Sequence, residues 1–201
     1  MGEVDVPHGA EPLGKVRRSK PLVLLTDDRF GRPEVVKSIA HTPFWTRRLF
    51  GRRLLGREVR ALRRLDGIEG LPRLIEWRGP DAFAMTVVDG EPLSGANRDR
   101  AAADFPEQLA ALAAQIHARG VVHLDLRGRR NVLVRRNGSP GVVDLGASVL
   151  TGPWTRWFSW VDRSGVLKVK VRWWPDRTSE AERRTARRHA LLRRIWIFHP
   201  H

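Results

Sequence analysis

Asp125, Asn131 and Asp144 are the residues of this chain whose types and spacing best suit catalysis, and His123 stands two positions before the first of them. Two carboxylates and an amide so placed can divide the work of phosphoryl transfer. One carboxylate accepts or orients the proton of an attacking hydroxyl. The other, with an amide oxygen, holds a hard cation such as Mg²⁺ against phosphate oxygens. Short apolar runs separate the three: Val121-Val122 leads in, Val132-Leu133-Val134 follows Asn131, and Val142-Val143 precedes Asp144. Between the last two runs lies Arg135 to Gly141, rich in Asn, Gly and Pro, so a strand–turn–strand hairpin is predicted. Asn131 and Asp144 would then sit at neighbouring ends of paired strands, with Asp125 on the loop just before. A hairpin whose polar ends are only turn residues is the plainer reading of the same stretch.

The elements that must position these groups are legible on either side. Glu34-Val35-Val36-Lys37 reads as a short apolar strand ending in Lys. Leu54 to Leu65 is apolar at 55, 59, 62 and 65 with a basic outer face, the pattern of an amphipathic helix, and Glu58 is its one acidic residue. Ala82 to Val88 has a buried-strand pattern closed by Asp89-Gly90-Glu91-Pro92. Glu107 to Arg119, apolar at 109, 112, 113 and 116, is a helix stopped by Gly120. Taken alone, Lys37 could be an ordinary strand-end Lys, and Glu58 could pair on the surface with Arg60, Arg63 or Arg64.

The order of these elements resembles the protein-kinase superfamily, whose H-x-D…N…D-[FL]-G pattern matches His123-Leu124-Asp125, Asn131 and Asp144-Leu145-Gly146. Ile116 to His123 is similar to the helix end that leads into kinase catalytic loops. The resemblance implies an α+β, minimal two-lobed protein-kinase-like fold. It has a flexible N-terminus at residues 1–14, an N-lobe of sheet and one helix at 15–88, and a reduced helical C-lobe with the catalytic hairpin at 89–201. ATP and Mg²⁺ are the cofactors it implies. Asp125 would orient the acceptor hydroxyl and take its proton, and Arg127 would neutralise charge on the transferring group. Lys37, held by Glu58, would contact the α- and β-phosphates. Met85 would border the adenine pocket, with the backbone of Thr86 and Val88 bonding the base. Asp144 would chelate Mg²⁺, with Asn131 assisting a second ion. His123 would be structural, bonding the backbone near the metal loop.

Three departures from the pattern are visible. Five residues, Leu126 to Arg130, separate Asp125 from Asn131 where the family places four; Gly128 is expected to absorb the extra one by a positive φ. No G-x-G-x-x-G loop occurs between Leu22 and Lys37, and Asp27-Asp28 there would repel phosphates unless they cap a turn. Leu145 stands where Phe is usual. At 201 residues the chain matches the economy of small branches of the superfamily, RIO-like and lipopolysaccharide-kinase-like among them. The Arg-rich loop looks most like bacterial relatives of the latter type.

After Gly152-Pro153, apolar residues at 154, 157, 158, 161, 167 and 171 follow roughly helical spacing, which would bury a helix under the catalytic loop with Asp162 as its brace. The alternation of Val with Lys168 and Lys170 also permits a strand over 166–171. A last helix runs from Glu180 to about Ile197, acidic at its start and basic at its end, with a Leu191, Leu192, Ile195 and Trp196 face. Trp154, Trp157, Trp160, Trp173 and Trp174 either fill a small C-lobe core or sit at a headgroup-level surface.

Lys and Arg number 37 against 22 Asp and Glu, a net charge of +15, so an anionic partner is expected. The hydroxyl acceptor itself is expected to be a glycolipid sugar or a protein Ser or Thr. An anionic membrane surface is a further candidate partner, and nucleic acid stays open. Cys is absent, which excludes disulfide and thiolate chemistry. There is no H-E-x-x-H, no G-x-S-x-G and no Walker loop. No apolar run reaches the roughly 18 residues a span needs, and Met1 to Asp5 is no signal peptide. A cytoplasmic monomer, within reach of the inner membrane face, is the expectation. The activity expected is ATP-dependent phosphoryl transfer to a hydroxyl. A pseudokinase scaffold and an RNA- or lipid-binding module are the alternatives.

Overall fold

The first strands pair as expected of their Val and Leu content. In the computed structural model, which describes residues 9–13, 20–128 and 130–195, β1 (Glu11–Pro12), β2 (Leu22–Asp27) and β3 (Pro33–Ser38) are successive antiparallel neighbours. Helix α1 (Phe44–Thr46) runs through a π-helical stretch, Arg47–Gly51, into α2 (Arg52–Arg64). Then β4 (Leu74–Trp77) and β5 (Ala82–Thr86) complete a five-stranded sheet of order β1-β2-β3-β5-β4. These elements fall in one compact unit, residues 1–67 with 72–87. Leu55, Val59 and Leu62 of α2 are buried, together with Leu22 and Leu24 of β2 and Phe83 of β5. The register sets Lys37 opposite Phe83 and Val35 opposite Met85, so all four share one face of the sheet.

Residues 68–71 and 88–201 form the second unit. Its sheet joins β6 (Gly90–Pro92), β8 (Val132–Arg135) and β9 (Pro140–Val142), while β7 (Val121–Val122) pairs apart from them with β10 (Val149–Leu150). Helices α3 (Phe105–Ala118), α4 (Thr155–Trp173) and α5 (Glu180–Ile195) supply the rest. The expected apolar stripe of α3, Leu109, Leu112, Ala113 and Ile116, is buried, and Gly120 ends it with φ 70°. Residues 166–171 are helical, not extended. Buried positions 161, 162, 165 and 166 form an i, i+4 stripe that a strand could not bury on one side. Ser179 and Glu182 close a capping box at the start of α5: Ser179 N–H donates to Glu182 Oε2 (2.8 Å) and Glu182 N–H to Ser179 Oγ (3.2 Å).

Two expectations need amendment. Within the N-terminal segment read as flexible, Glu11–Pro12 form a strand against Leu24 and Leu25, because the outer edge of β2 offers unpaired backbone groups. Residues 1–8 and 14 lie outside the described residues, as does Trp196 of the final helix. The tryptophans do not all fill the core. Trp174 is buried and stacks on Phe105 with ring centroids 5.2 Å apart, whereas Trp154 and Trp157 are exposed. No described helix is long and apolar enough to cross a membrane.

Candidate active site

In the first unit, Lys37 is carried by β3 and Glu58 by α2. Lys37 Nζ lies 2.9 Å from Glu58 Oε1 and 2.8 Å from Oε2, with both side chains buried. A buried ammonium is tolerable only when paired. Glu58 is held in place by the same helical stripe, Leu55, Val59 and Leu62, that packs α2. Glu58 is therefore buried against Lys37 rather than exposed on the basic face of α2. The turn between β2 and β3 gives one of its two acids a local role. Asp28 Oδ1 accepts from the N–H groups of Phe30 (2.8 Å) and Arg32 (2.9 Å), and Oδ2 pairs with the Arg32 side chain. The bond from the Arg32 backbone is the largest of the effects that hold this carboxyl below its ordinary value. Gly31 takes the left-handed corner at φ 73°. Asp28 thus spends its charge on its own turn.

Met85 is buried on the face that carries Lys37. The expectation for Thr86 narrows. Its N–H donates to Arg73 O (2.9 Å) and its Oγ1 accepts from Arg73 N–H (2.9 Å), so only its carbonyl could serve a base. The cause is that pairing along β5 continues past Leu74, the first residue of β4, to Arg73 just before it. Val88 falls in the second unit, beyond the end of β5.

The second unit builds the loop from His123 to Asn131. Its anchor is Asp162 on α4, fully buried. Oδ2 accepts from His123 N–H (2.8 Å) and from His117 Nε2 (2.9 Å), and Oδ1 accepts from Leu124 N–H (2.8 Å). Leu124 is held at φ 65°, a left-handed conformation that a branched residue keeps only when its surroundings enforce it. His123 links the two loops. Its Nδ1 must accept, because the Asp125 backbone N–H at 3.2 Å can only donate; Nε2 then carries the proton and donates to Val143 O (3.1 Å). The backbone just before Asp144 is fixed by this bond and by Val143 N–H to Asn131 O (2.9 Å). Asp144 itself turns at φ 62° and its Oδ1 accepts from Gly146 N–H (3.3 Å).

Asn131 and Asp125 are locked together. The amide Nδ2 donates to Asp125 O (2.8 Å) and to Asp125 Oδ2 (2.9 Å), and the amide oxygen takes part in neither bond. Asn131 thus lies on the same side as Asp125 despite the longer loop. The extra residue is taken up by two successive turns, Gly128 N–H to Asp125 O (3.1 Å) and Asn131 N–H to Gly128 O (3.2 Å); Arg129 lies outside the described residues. Gly128 does not adopt the positive φ expected of it. What requires glycine there is space: an added Cβ would lie 2.4 Å from Asn131 Nδ2 and 2.9 Å from Asp125 Oδ2. Gly128→Ala is accordingly expected to swing the amide away from Asp125 at little cost in stability. Turnover should fall by about 10–100-fold through misplacement alone. Steady-state rates beside a urea melt check this; a variant that unfolds easily but turns over normally when folded would refute it.

Arg127 is half-buried. Burial pushes its guanidinium below its ordinary value, and Asp125 pulls the other way. Gly165 of α4 lets the helix come up beneath it, since an added Cβ would lie 3.1 Å from both Arg127 Cγ and Leu126 Cβ. His117 and Gly165 were not singled out from sequence. The available sign of His117 was its place four residues after Ala113, beside the buried stripe of α3.

The Asp144 carboxylate, which is exposed, and the Asn131 amide are hard oxygen donors of the kind Mg²⁺ prefers. No group of three or more His, Asp or Glu side chains could cage a cation among the described residues. A cation shared with nucleotide phosphates needs only one or two protein donors.

No protein-family model and no curated protein sequence matches the chain. Solved structures do. The chain is similar to the Rio2 kinase of Chaetomium thermophilum in its ADP/Mg²⁺-phosphoaspartate complex, at 17% identity and a TM-score of 0.60, over 82% of this chain and 56% of that one. A second structure of Rio2 kinase from the same organism gives 17% identity and a TM-score of 0.59, over 78% and 55%. The chain thus spans little more than half the length of these relatives. Its mixed helices and sheets have the protein-kinase-like fold.

Proposed function

We propose that the chain is an ATP-dependent phosphotransferase that moves the γ-phosphoryl group to a hydroxyl, of a lipopolysaccharide or other glycolipid sugar or of a protein Ser or Thr. The observation that carries this reading is the Asn131–Asp125 lock. A carboxylate is held by an amide whose oxygen stays available, on a loop braced from below and joined through His123 to the residue before Asp144. In this reading Asp125 orients the acceptor hydroxyl and takes its proton. Lys37, fixed by Glu58, contacts nucleotide phosphates in the first unit, where Met85 and the Thr86 carbonyl border the base. Asp144 and Asn131 would hold Mg²⁺, which when bound neutralises phosphate charge. The Rio2 structure, with ADP and Mg²⁺, supports those cofactors by analogy of fold. Net basic charge supports an anionic acceptor of the kind that bacterial lipopolysaccharide-kinase-like proteins use, with the protein working on the cytoplasmic side.

A pseudokinase that binds nucleotide or a partner without turnover is the second reading. The β2–β3 turn favours it, because it offers phosphate an Asp28-capped corner in place of a glycine-rich cradle. Nucleotide titrations with and without Mg²⁺, paired with ATP turnover on membrane and soluble acceptor fractions, separate the two. Mg²⁺ should tighten nucleotide binding by about ten-fold or more in the parent and not in Asp144→Asn, because a neutral amide is a poor ligand for a hard cation. Equal Mg²⁺ effects in both would remove Asp144 as the ligand. Tight nucleotide binding with no turnover on any fraction would establish the scaffold.

A further inference from the structure

Beside the catalytic-loop turn, the second unit carries a pocket of about 310 Å³ whose walls include Arg127, Arg130, Lys168, Arg172, Trp173 and Ser94. Four cations face it and no acidic side chain lines it. That balance is unlike a second hollow in the unit, where Lys170 is matched by Glu182 at 2.8 Å and by Glu107 at 3.6 Å. Among the described residues, Arg127, Arg130 and Arg172 make no ion pair with a carboxylate. The Nε of Arg127 is buried without a hydrogen-bond partner. Arg172 lies over the Trp173 ring at 4.9 Å, which orients its guanidinium while leaving its N–H groups to point elsewhere.

Like charges gathered in one concavity repel, and a bound dianion offsets that repulsion. Guanidinium forks fit phosphate oxygens by geometry as well as charge. The volume exceeds what a bare phosphate fills, and Trp173 offers an apolar wall for the group attached to it. Arg127 ties the pocket to the reaction centre, being two residues after Asp125 and in electrostatic contact with it. From this geometry we propose that the pocket is a phosphomonoester site and that the acceptor is an already phosphorylated hydroxyl compound whose existing phosphate docks here. Assignment of that phosphate to the acceptor rests on the phosphotransferase reading; the anion site does not.

The test uses the full chain without nucleotide. Inorganic phosphate and glucose 6-phosphate are titrated calorimetrically, glucose serves as the uncharged comparison, and phosphatidylcholine vesicles doped with phosphatidic acid present the same phosphomonoester as a lipid headgroup. The variants are Arg130→Glu/Arg172→Glu in the pocket, Arg184→Glu/Arg188→Glu on the exposed face of α5 as a charge-matched control, and Lys37→Met. All four pocket and control sites are exposed, so folding should survive, and circular dichroism confirms it. The expected result is binding of phosphate and tighter binding of glucose 6-phosphate or of vesicles, silence from glucose, and a loss of about ten-fold or more in the pocket variant alone. Preference for the sugar phosphate or for the vesicles tells a soluble acceptor from a lipid one. Equal weakening by the α5 control, loss only with Lys37→Met, or no binding by the parent would overturn the site. Selective loss in the pocket variant in a chain that binds no ATP would retire the phosphotransferase reading and leave the phosphate site standing.

Discussion

On the proposed phosphotransferase reading, replacing Asp125 by Ala lowers phosphoryl transfer by about 10²–10⁴-fold while the fold and nucleotide binding stay nearly intact. The separation follows from how the residue is held. Its backbone is anchored independently of its carboxylate, with N–H donating to His123 Nδ1 and the carbonyl accepting from Gly128 N–H and Asn131 Nδ2. Truncation removes the Oδ2 bond to Asn131 and the electrostatic contact with Arg127. The lost function is one made in the transition state, so kcat should fall and KM for ATP should hardly move. Asp125→Asn sharpens the test. It keeps the shape and an acceptor oxygen but cannot take a proton, and it should be nearly as slow as Asp125→Ala. Parent-like turnover in either variant would sink the assignment of Asp125 as base. A fall in nucleotide affinity as large as the fall in rate would instead point to a misplaced loop.

Much of this site was legible because its elements bury one face each. The stripes at 55, 59, 62 and 65 and at 109, 112, 113 and 116 report α2 and α3 directly, since periodicity measures burial and those faces are buried. Asp162 was legible as a brace, being one acid in an apolar helical run below the loop. The segment from Phe44 to Arg53 was not read as an element. Phe44, Trp45, Leu49 and Phe50 are exposed, so their apolar character carries no core signal, and the helix there passes through a π-helical stretch that breaks the period. The role of Gly128 was misjudged for a different reason. Sequence shows that a side chain is missing but not whether the backbone or a neighbour needs it missing. Only the positions of Asn131 Nδ2 and Asp125 Oδ2 decide that. The exclusion of the Thr86 N–H had no local sign either, because it depends on pairing with Arg73 across a turn.

Asp162→Ala is expected to cost about 3–5 kcal/mol of stability, the loss typical of removing one partner from a buried charged network. Three donors meet this carboxylate, the N–H groups of His123 and Leu124 and Nε2 of His117, and Asp162 and His123 are both buried. Each unsatisfied buried donor costs roughly 1–3 kcal/mol, and the three are not additive because the loop can relax. Relaxation has its own consequence. Leu124 is kept at φ 65° while its N–H is engaged; once released it should return to negative φ and carry Asp125 with it. Turnover should therefore drop further than the unfolded fraction accounts for. Asp162→Asn should fall between, since one amide oxygen can accept on one side while its NH₂ confronts N–H groups on the other. Urea denaturation gives the stability change, and rates measured at low temperature, where the variant remains folded, give the second effect. A loss under about 1 kcal/mol would show that the bonds to Asp162 are replaceable by water. A normal rate in the folded variant would show that Leu124 holds its conformation without Asp162. Together with Asp125→Ala, this variant separates chemistry from support, because removing the base should slow a stable protein while removing the brace should weaken the protein and slow what remains folded.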